Sequence, residues 1–197
     1  MQAPESRRTI PSIVHQHAVG AQCNAVALEV WDQDDGVTMT VTFSQLSAGV
    51  HSAAAYLTQV GGLAPGDLCA LHSHNTVAYV CASLGAMEAG ATSINLSWRQ
   101  PDSINLTLLI SLRANMLLHS HGFSSLAELA ARDVQCEGMR IVLFESICAT
   151  PLHTAFPFGP VESGASVGET SKVLPLTPAA VFFTGGTTGT PKAVPHT

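Results

Sequence analysis

The sequence predicts an α/β fold, with a layered, largely parallel sheet that carries helices on both faces. Short apolar runs alternate along the chain with longer segments of helical periodicity. This alternation is typical of right-handed βαβ crossovers, which place helices on both faces of a parallel sheet. In addition, 46% of the 197 residues are hydrophobic and 11% are charged, a composition that suits one domain with a sizeable core.

A β-hairpin is predicted near the N-terminus, before the alternating part of the chain. Residues 1–24 show no clear period and are predicted to be a poorly ordered leader. Strand-like segments follow at residues 25–31 and 38–41, on either side of the turn-forming residues 34–36.

The first helix has a signal at each end. Thr42 and Gln45 have the spacing of a capping box, in which each side chain accepts a hydrogen bond from the other residue's backbone N–H. Gly61 and Gly62 can end the helix, because glycine adopts left-handed backbone angles without strain. The apolar residues between these signals recur every three or four positions, at Leu46, Val50, Ala53, Leu57 and Val60.

Further strands and helices alternate along the rest of the chain. Strands are predicted at residues 68–71, 92–96, 116–118, 141–144 and 179–183. Asn75 and Asp102 are predicted to cap two of the intervening helices, and a short helix is predicted from Ser124 to Arg132. Residues 146–177 mix Pro, Gly, Ser and Thr without a period and predict a long loop. Residues 25–197 are therefore predicted to form one partial domain.

Charge and cysteine content exclude several classes of protein. The net charge is −6 and no Lys/Arg-rich run is present, so a nucleic-acid partner is not expected. The 5 cysteines include no Cys-x-x-Cys pair and predict reduced thiols in a cytoplasmic protein, with Cys69 and Cys81 as small core residues. No apolar run reaches the roughly 18 residues of a membrane-spanning helix, and no secretory signal is visible.

A loop rich in glycine and threonine follows the last predicted strand. Its glycines allow backbone N–H groups to turn toward an anion, its hydroxyls add neutral donors, and Lys192 adds a positive charge. The Walker pattern fails, because Thr190 and Pro191 separate Gly189 from Lys192, and the pattern Gly-x-Gly-x-x-Gly is absent. On composition alone, phosphate binding and a hairpin turn that binds nothing both remain open.

The order of residues in this loop adds a resemblance to a known family. Thr184-Gly185-Gly186-Thr187-Thr188-Gly189-x-Pro191-Lys192 resembles the phosphate-loop signature of the adenylate-forming, or AMP-binding, enzymes. Upstream, residues 41–46, residues 65–67, Asn75 and residues 87–91 resemble landmarks of the N-terminal region of that family, in the same order. The resemblance covers the chain from about residue 25 to its end.

The resemblance implies the N-terminal part of an ATP-dependent ligase similar to the acyl-CoA synthetases, with a place in fatty acid metabolism. Such enzymes use Mg²⁺ and ATP to convert a carboxylic acid into an acyl-adenylate, and a thiol, often that of CoA, then displaces AMP. The phosphate loop would consist of Thr184, Gly185, Gly186, Thr187, Thr188, Gly189 and Lys192. No catalytic residue is assigned.

The chain departs from the family pattern in two ways. Gly185 stands where a serine is common, which removes one hydroxyl donor, and Ala193 stands where glycine is common. The adenine, ribose and carboxylate sites of such enzymes follow the segment that this chain matches. We therefore expect an incomplete N-terminal subdomain that is inactive alone, with an uncovered sheet edge through which it can associate with itself.

Two other functions remain open on the sequence. The first is a non-catalytic module that binds a nucleotide or a partner chain through the same loop. The second is a metal-binding α/β protein that uses the His-x-His pairs His15/His17, His72/His74 and His119/His121, since residues i and i+2 of a strand share a face. No cysteine or carboxylate joins these pairs at ligand spacing, so the sequence assigns no metal site.

Overall fold

The computed structural model describes residues 9–32, 36–147, 178–184 and 192–196. The strands are β1 (Val26–Asp32), β2 (Gly36–Thr42), β3 (Leu68–His72), β4 (Thr92–Asn95), β5 (Met116–His119), β6 (Arg140–Leu143), β7 (Ala180–Thr184) and β8 (Lys192–His196). The helices are α1 (Ile10–Val19), α2 (Phe43–Gln59), α3 (Val77–Glu88), α4 (Asp102–Leu112), α5 (Ser124–Arg132) and α6 (Phe144–Ile147). The predicted loop at residues 146–177 lies, from residue 148 onward, outside the described residues.

The central sheet has six strands in the order β6-β5-β3-β4-β7-β8, and β1 and β2 form a separate antiparallel hairpin. All neighbours in the central sheet are parallel except β7 and β8, which are antiparallel. The predicted α/β class, with its largely parallel sheet, is therefore confirmed. No helix among the described residues is both long and apolar enough to cross a membrane.

Successive residues of the sheet pack into different cores. Cys69 and Leu71 of β3 belong to a core that includes buried residues of α1, α2 and α3, whereas Ala70 belongs to a second core with α4 and α5. Side chains of a strand alternate between its faces, so the sheet is covered by helices on both sides.

Cys69 and Cys81 are core residues, as predicted, with no exposed surface. Burial raises the pKa of the Cys69 thiol to about 12, which keeps it neutral and unreactive. Cys23 and Cys136 also form no disulfide with another described cysteine.

The capping box before α2 is present as predicted. The Gln45 backbone N–H donates to Thr42 Oγ1 over 3.3 Å, and the Thr42 N–H donates to Gln45 Oε1 over 2.9 Å. The helix ends at Gln59, and Gly62 follows it with a φ of +67°, a left-handed angle that suits glycine.

Two predictions about helix starts were wrong, and the structure contains a helix, α1, that the sequence did not predict. Helix α1 lies within the predicted leader, where Thr9 and Ser12 form a capping box and Val14 is buried against α2 and α3. The N-cap of α3 is Thr76 rather than Asn75, since Thr76 Oγ1 accepts a 3.1 Å hydrogen bond from the Tyr79 N–H. Asp102 lies inside the first turn of α4 and accepts a hydrogen bond from Ser125 Oγ. The domain boundary at residue 25 stays a prediction.

Two of the upstream family landmarks, residues 65–67 and residues 87–91, meet at the amino edge of the sheet. The Gly66 N–H donates to Gly90 O over 2.8 Å, and the Thr92 N–H donates to Asp67 O over 2.8 Å. The Asp67 carboxylate accepts a 2.6 Å hydrogen bond from Arg140 of β6. These landmarks hold the starts of β3, β4 and β6 together, so their role in the described residues is architectural.

Candidate functional site

The predicted phosphate loop joins β7 to β8. Ser93 and Ile94 of β4 pair in parallel with Ala180 and Val181 of β7, so the end of β7 lies at the carboxyl edge of the sheet. In α/β sheets this edge is where ligands usually bind. The fold therefore puts Thr184, from which the loop starts, at a suitable edge, opposite to the one held by Asp67 and Arg140.

Two of the predicted loop residues lie on the described strands. Thr184 is the last residue of β7 and Lys192 is the first of β8, and the two are direct partners in the antiparallel register. Lys192 is exposed and forms no ion pair with another described residue. Gly185, Gly186, Thr187, Thr188 and Gly189 lie outside the described residues, so their predicted role stays untested.

The strands beside the loop exclude one way of holding phosphate. A strand, β8, follows the loop where Walker-type loops are followed by a helix. A phosphate at this position would therefore depend on backbone N–H groups, hydroxyls and the Lys192 ammonium instead of a helix dipole.

Aromatic side chains lie at the carboxyl ends of β3, β4 and β5. The His74 ring meets the Trp98 ring edge-on with centroids 4.6 Å apart, and it also contacts the Phe123 ring at 4.9 Å. The guanidinium carbon of Arg99 lies 4.9 Å from the centroid of Trp98, within cation–π range. The edge next to β4 is thus an aromatic surface that carries one cation, and sequence reasoning assigned no role to Trp98 or Arg99.

His72 is buried beneath this surface in a polar contact. Only 1% of the residue is exposed, and its Nε2 lies 3.3 Å from Asn105 Nδ2, which also donates to Ser97 O over 3.1 Å. Because the Asn105 amide donates, Nε2 accepts and the proton of the neutral ring lies on Nδ1. Burial lowers the pKa of His72, the nearby Asp102 opposes this shift, and His119 adds to it.

The His-x-His hypothesis for metal binding is not supported by the described geometry. His15 and His17 lie on helix α1, where residues i and i+2 point in different directions. His72 and His119 are register partners in β3 and β5, yet neither forms a set of three potential ligands. Among the residues the structure describes, the group of three potential ligands is His15, His51 and Glu88.

Sequence reasoning missed this cluster because its members come from different helices. Two imidazoles contact one carboxylate: His15 Nε2 lies 2.8 Å from Glu88 Oε2, and His51 Nδ1 contacts Glu88 Oε1. Burial alone would raise the pKa of Glu88, but hydrogen bonds from His15 and His51 outweigh burial and lower it to about 2. The available signal was a glutamate in the otherwise uncharged segment that forms α3.

Two surface clefts lie away from these sites, around the segment that precedes β6. Both are lined by Cys136, Gly138 and Met139. Burial and the charge of Asp133 raise the pKa of Cys136, so its thiol is protonated and is not an activated nucleophile. These clefts hold no cluster of catalytic groups among the described residues.

Comparisons of sequence identify relatives of the chain. The family model described as AMP-binding enzyme matches residues 15–197. The long-chain-fatty-acid–AMP ligase FadD26 of Mycobacterium marinum is 34% identical over 100 residues, which amount to 49% of this chain and 17% of FadD26.

Solved structures share the fold at low sequence identity. The N-terminal domain of FACL13 from Mycobacterium tuberculosis superposes with a TM-score of 0.68 at 20% identity, and the match covers 96% of this chain and 44% of that one. The anthranilate CoA ligase AuaEII, in complex with anthranoyl-AMP, gives a TM-score of 0.70 at 20% identity, over 94% of this chain and 34% of that one. The chain thus spans less than half the length of the proteins that it matches.

Proposed function

Because the chain belongs to the family of AMP-binding enzymes, we propose that it is the N-terminal part of an ATP-dependent ligase that activates a carboxylic acid. The observation that carries the proposal is the register of β7 and β8. It makes Thr184 and Lys192 partners at the mouth of the glycine-threonine loop, at the edge of the sheet where ligands bind.

The proposed chemistry begins with ATP. The substrate carboxylate attacks the α-phosphorus, the bond from this phosphorus to the β-phosphate oxygen breaks, and pyrophosphate leaves while an acyl-adenylate forms. Negative charge develops on the departing pyrophosphate, so donors around the β- and γ-phosphates stabilise the transition state. The loop residues 184–189 would supply neutral donors and Lys192 would supply a cation, and Mg²⁺ would offset part of the phosphate charge in the complete enzyme.

A second step with CoA is proposed from the family resemblance. The thiol loses its proton to solvent and its sulfur attacks the acyl carbon of the adenylate. The bond from this carbon to the phosphate oxygen breaks, and AMP leaves as the thioester forms. The relatives bear on this step in different ways, since AuaEII is a CoA ligase and FadD26 is named for adenylate formation on long-chain fatty acids. On the likeness to FadD26 we place the chain in fatty acid metabolism, in the cytoplasm, where its free thiols stay reduced.

The chain alone is proposed to bind Mg-ATP weakly without completing the reaction. It covers 44% of FACL13 and 34% of AuaEII, so much of the matched proteins has no counterpart in it. We therefore expect no exchange of labelled pyrophosphate into ATP when the chain is incubated with carboxylic acids.

Calorimetric titration with Mg-ATP tests the loop directly. We expect the Lys192→Ala variant to bind about tenfold more weakly or worse, because a hydrogen bond to a charged phosphate contributes about 1.5–3 kcal/mol. Arg132→Ala is the matched control, since it removes the same charge from the end of α5, where Arg132 is exposed.

The control variant should bind Mg-ATP as the unmodified chain does. Equal affinity of the Lys192→Ala variant would remove the loop from the proposal. Absence of binding by the unmodified chain at millimolar Mg-ATP would contradict a nucleotide site in this part of the molecule.

A further inference from the structure

A cluster of potential ligands joins the three helices on one face of the sheet. His15 of α1 and His51 of α2 both contact the carboxylate of Glu88, the last residue of α3. The three ligand atoms lie within 4.8 Å of one another. Each ligand comes from a different helix, so the fold itself creates the cluster.

The carboxylate of Glu88 is buried without a lysine or arginine partner among the described residues. Its side chain is 4% exposed, and the ion pairs that it forms are those with His15 and His51. An ionised carboxylate away from water requires a cation or several donors close by. The chain has 8 lysines and arginines in all, so positive charge is scarce throughout the molecule.

We propose that His15, His51 and Glu88 form a binding site for a divalent transition-metal ion, with Zn²⁺ as the preferred occupant. Two imidazoles and one carboxylate are a donor set that zinc commonly takes in proteins. The His51 side chain is 47% exposed, so the cluster is open to solvent on one side and water can complete the coordination.

The rings show what must move when an ion binds. His15 and His51 are stacked in parallel, with centroids 3.9 Å apart and an angle of 1° between their planes. Lone pairs of parallel rings do not converge on one point, so binding requires a tilt of the more exposed ring, that of His51. Rotation of a histidine ring about its last side-chain bond has broad minima and costs little.

Ser47 orients the first imidazole. Its hydroxyl oxygen lies 2.7 Å from Nδ1 of His15. When Nδ1–H donates to this oxygen, Nε2 carries a free lone pair that faces Glu88, and such a contact is the usual support of a metal-bound histidine. The proton that Nε2 shares with Glu88 in the metal-free protein moves to Nδ1 or is released to solvent on binding.

The ion would act on the structure and not on the proposed ATP chemistry. Glu88 lies two residues before Gly90, whose carbonyl accepts a hydrogen bond from the Gly66 N–H at the amino edge of the sheet. The proposed phosphate loop starts instead from the end of β7, at the carboxyl edge. Binding would tie α1 to α2 and α3, which raises the stability of the folded chain. The inference is therefore independent of the proposed function.

Competition with a chromophoric chelator measures zinc affinity and stoichiometry in the full 197-residue chain. We expect one Zn²⁺ per chain, a rise of several degrees in the thermal midpoint on zinc addition, and visible absorption bands when Co²⁺ replaces zinc. The His51→Gln variant should bind at least about tenfold more weakly and lose the thermal shift.

Two further variants make the test specific. Glu88→Gln should also lose zinc binding. Because the Glu88 side chain is buried, this variant can lose zinc by misfolding, whereas His51 is more exposed and its replacement by glutamine is less disruptive to the fold. His121→Gln removes an exposed histidine from outside the cluster and should bind zinc as the unmodified chain does. Zinc binding that is absent from the unmodified chain, or equal in the His51→Gln variant, would overturn the proposal and leave the cluster as a hydrogen-bonded clamp.

Discussion

Among individual residues, His72 is one whose protonation the fold opposes. Its ring is buried at the end of β3, in contact with Asn105 and 4.7 Å from the Phe123 ring. Burial lowers the pKa of His72, Asp102 opposes this shift by favouring the charged ring, and His119 adds to it. The folded protein therefore holds His72 as a neutral ring under conditions where the unfolded chain can protonate it.

Stability should fall on acidification because of His72. The unfolded pKa is about 6.5 and the folded pKa is lower, so between them the unfolded chain binds a proton that the folded chain does not. The stabilising contribution is complete above about pH 6.5 and is lost as the pH falls toward the folded pKa, by at most about 1.4 kcal/mol per pH unit.

Urea unfolding at about pH 7.5 and 5.5 measures this effect. We expect His72→Gln to lose less stability between these pH values than the unmodified chain does, and His121→Gln, which replaces an exposed histidine, to behave as the unmodified chain. A His72→Gln variant with the same pH dependence as the unmodified chain would show that His72 is not the group responsible.

Single residues also mark what sequence patterns can and cannot resolve. The capping box of Thr42 and Gln45 was predicted and is present, because both partners belong to one short segment. Asn75 and Thr76 are both good capping residues, and in the folded protein it is the Thr76 side chain that caps α3. A one-residue offset of this kind is invisible in composition.

Among the secondary-structure elements, the contact between α2 and α3 is unusually close. A Cβ atom at Gly85 would lie 2.8 Å from Ala53 Cβ and 2.8 Å from the Ala54 backbone N. Gly85, Ala53 and Ala54 are all buried. Small residues on both helices therefore let the backbones approach, and α3 cannot accept a side chain at this position without moving.

Gly85→Ala should destabilise the protein by about 1–3 kcal/mol, the usual cost of overpacking a core. Alanine favours helix by up to about 1 kcal/mol over glycine, but the clash involves backbone atoms that cannot rotate away, so destabilisation prevails. Chemical denaturation followed by circular dichroism measures the change.

Gly122→Ala is the matched control for this substitution. A Cβ atom at Gly122 would meet nothing within 4 Å, and the backbone there has no left-handed angle. We expect its unfolding midpoint to stay near that of the unmodified chain. Equal stability of the Gly85→Ala variant would mean that the helices separate at little cost.

Elements of strong periodicity were predictable, and α1 was not. The predicted hairpin, the helix at residues 124–132 and the strands of the central sheet are all present. In α1 the capping box uses Ser12 at its third helical position, where glutamate or glutamine is the familiar signal, and only Pro11 and Val14 are buried. This helix is defined by its contacts with α2 and α3 more than by its own pattern.

For the molecule as a whole, β8 is an edge strand of the central sheet among the residues that the structure describes. It pairs with β7 on one side, and all its residues are exposed. Phe182 and Val194 face each other in the register of this hairpin and are 49% and 37% exposed. An edge strand with unpaired backbone groups beside apolar side chains is a site for association between chains.

We therefore predict that the chain associates with itself through β8 and that Val194→Lys weakens this association. A charged side chain on an edge strand opposes edge-to-edge pairing. Sedimentation over a range of concentrations should show a shift from oligomer to monomer in this variant. Val134→Lys is the control, because Val134 is 83% exposed and lies outside the sheet. A monomeric unmodified chain at all concentrations would contradict the prediction.

The family and the fold class of this molecule are recoverable from its sequence. Strand and helix periods arise from local geometry, and the phosphate-loop signature and its landmarks are local strings of residues, so neither requires knowledge of distant contacts. Two of the landmarks, residues 65–67 and residues 87–91, proved to be architectural, since Gly66, Asp67 and Gly90 meet at the amino edge of the sheet.

The spatial relations between distant residues came from the tertiary structure. The pairing of Thr184 with Lys192 depends on strand register, and the meeting of His15, His51 and Glu88 depends on how three helices pack on one face of the sheet. Sequence spacing paired His15 with His17, which the helical geometry of α1 separates. Contacts between residues far apart in the chain are set by packing, and packing leaves no short repeat in the sequence from which these contacts could be predicted.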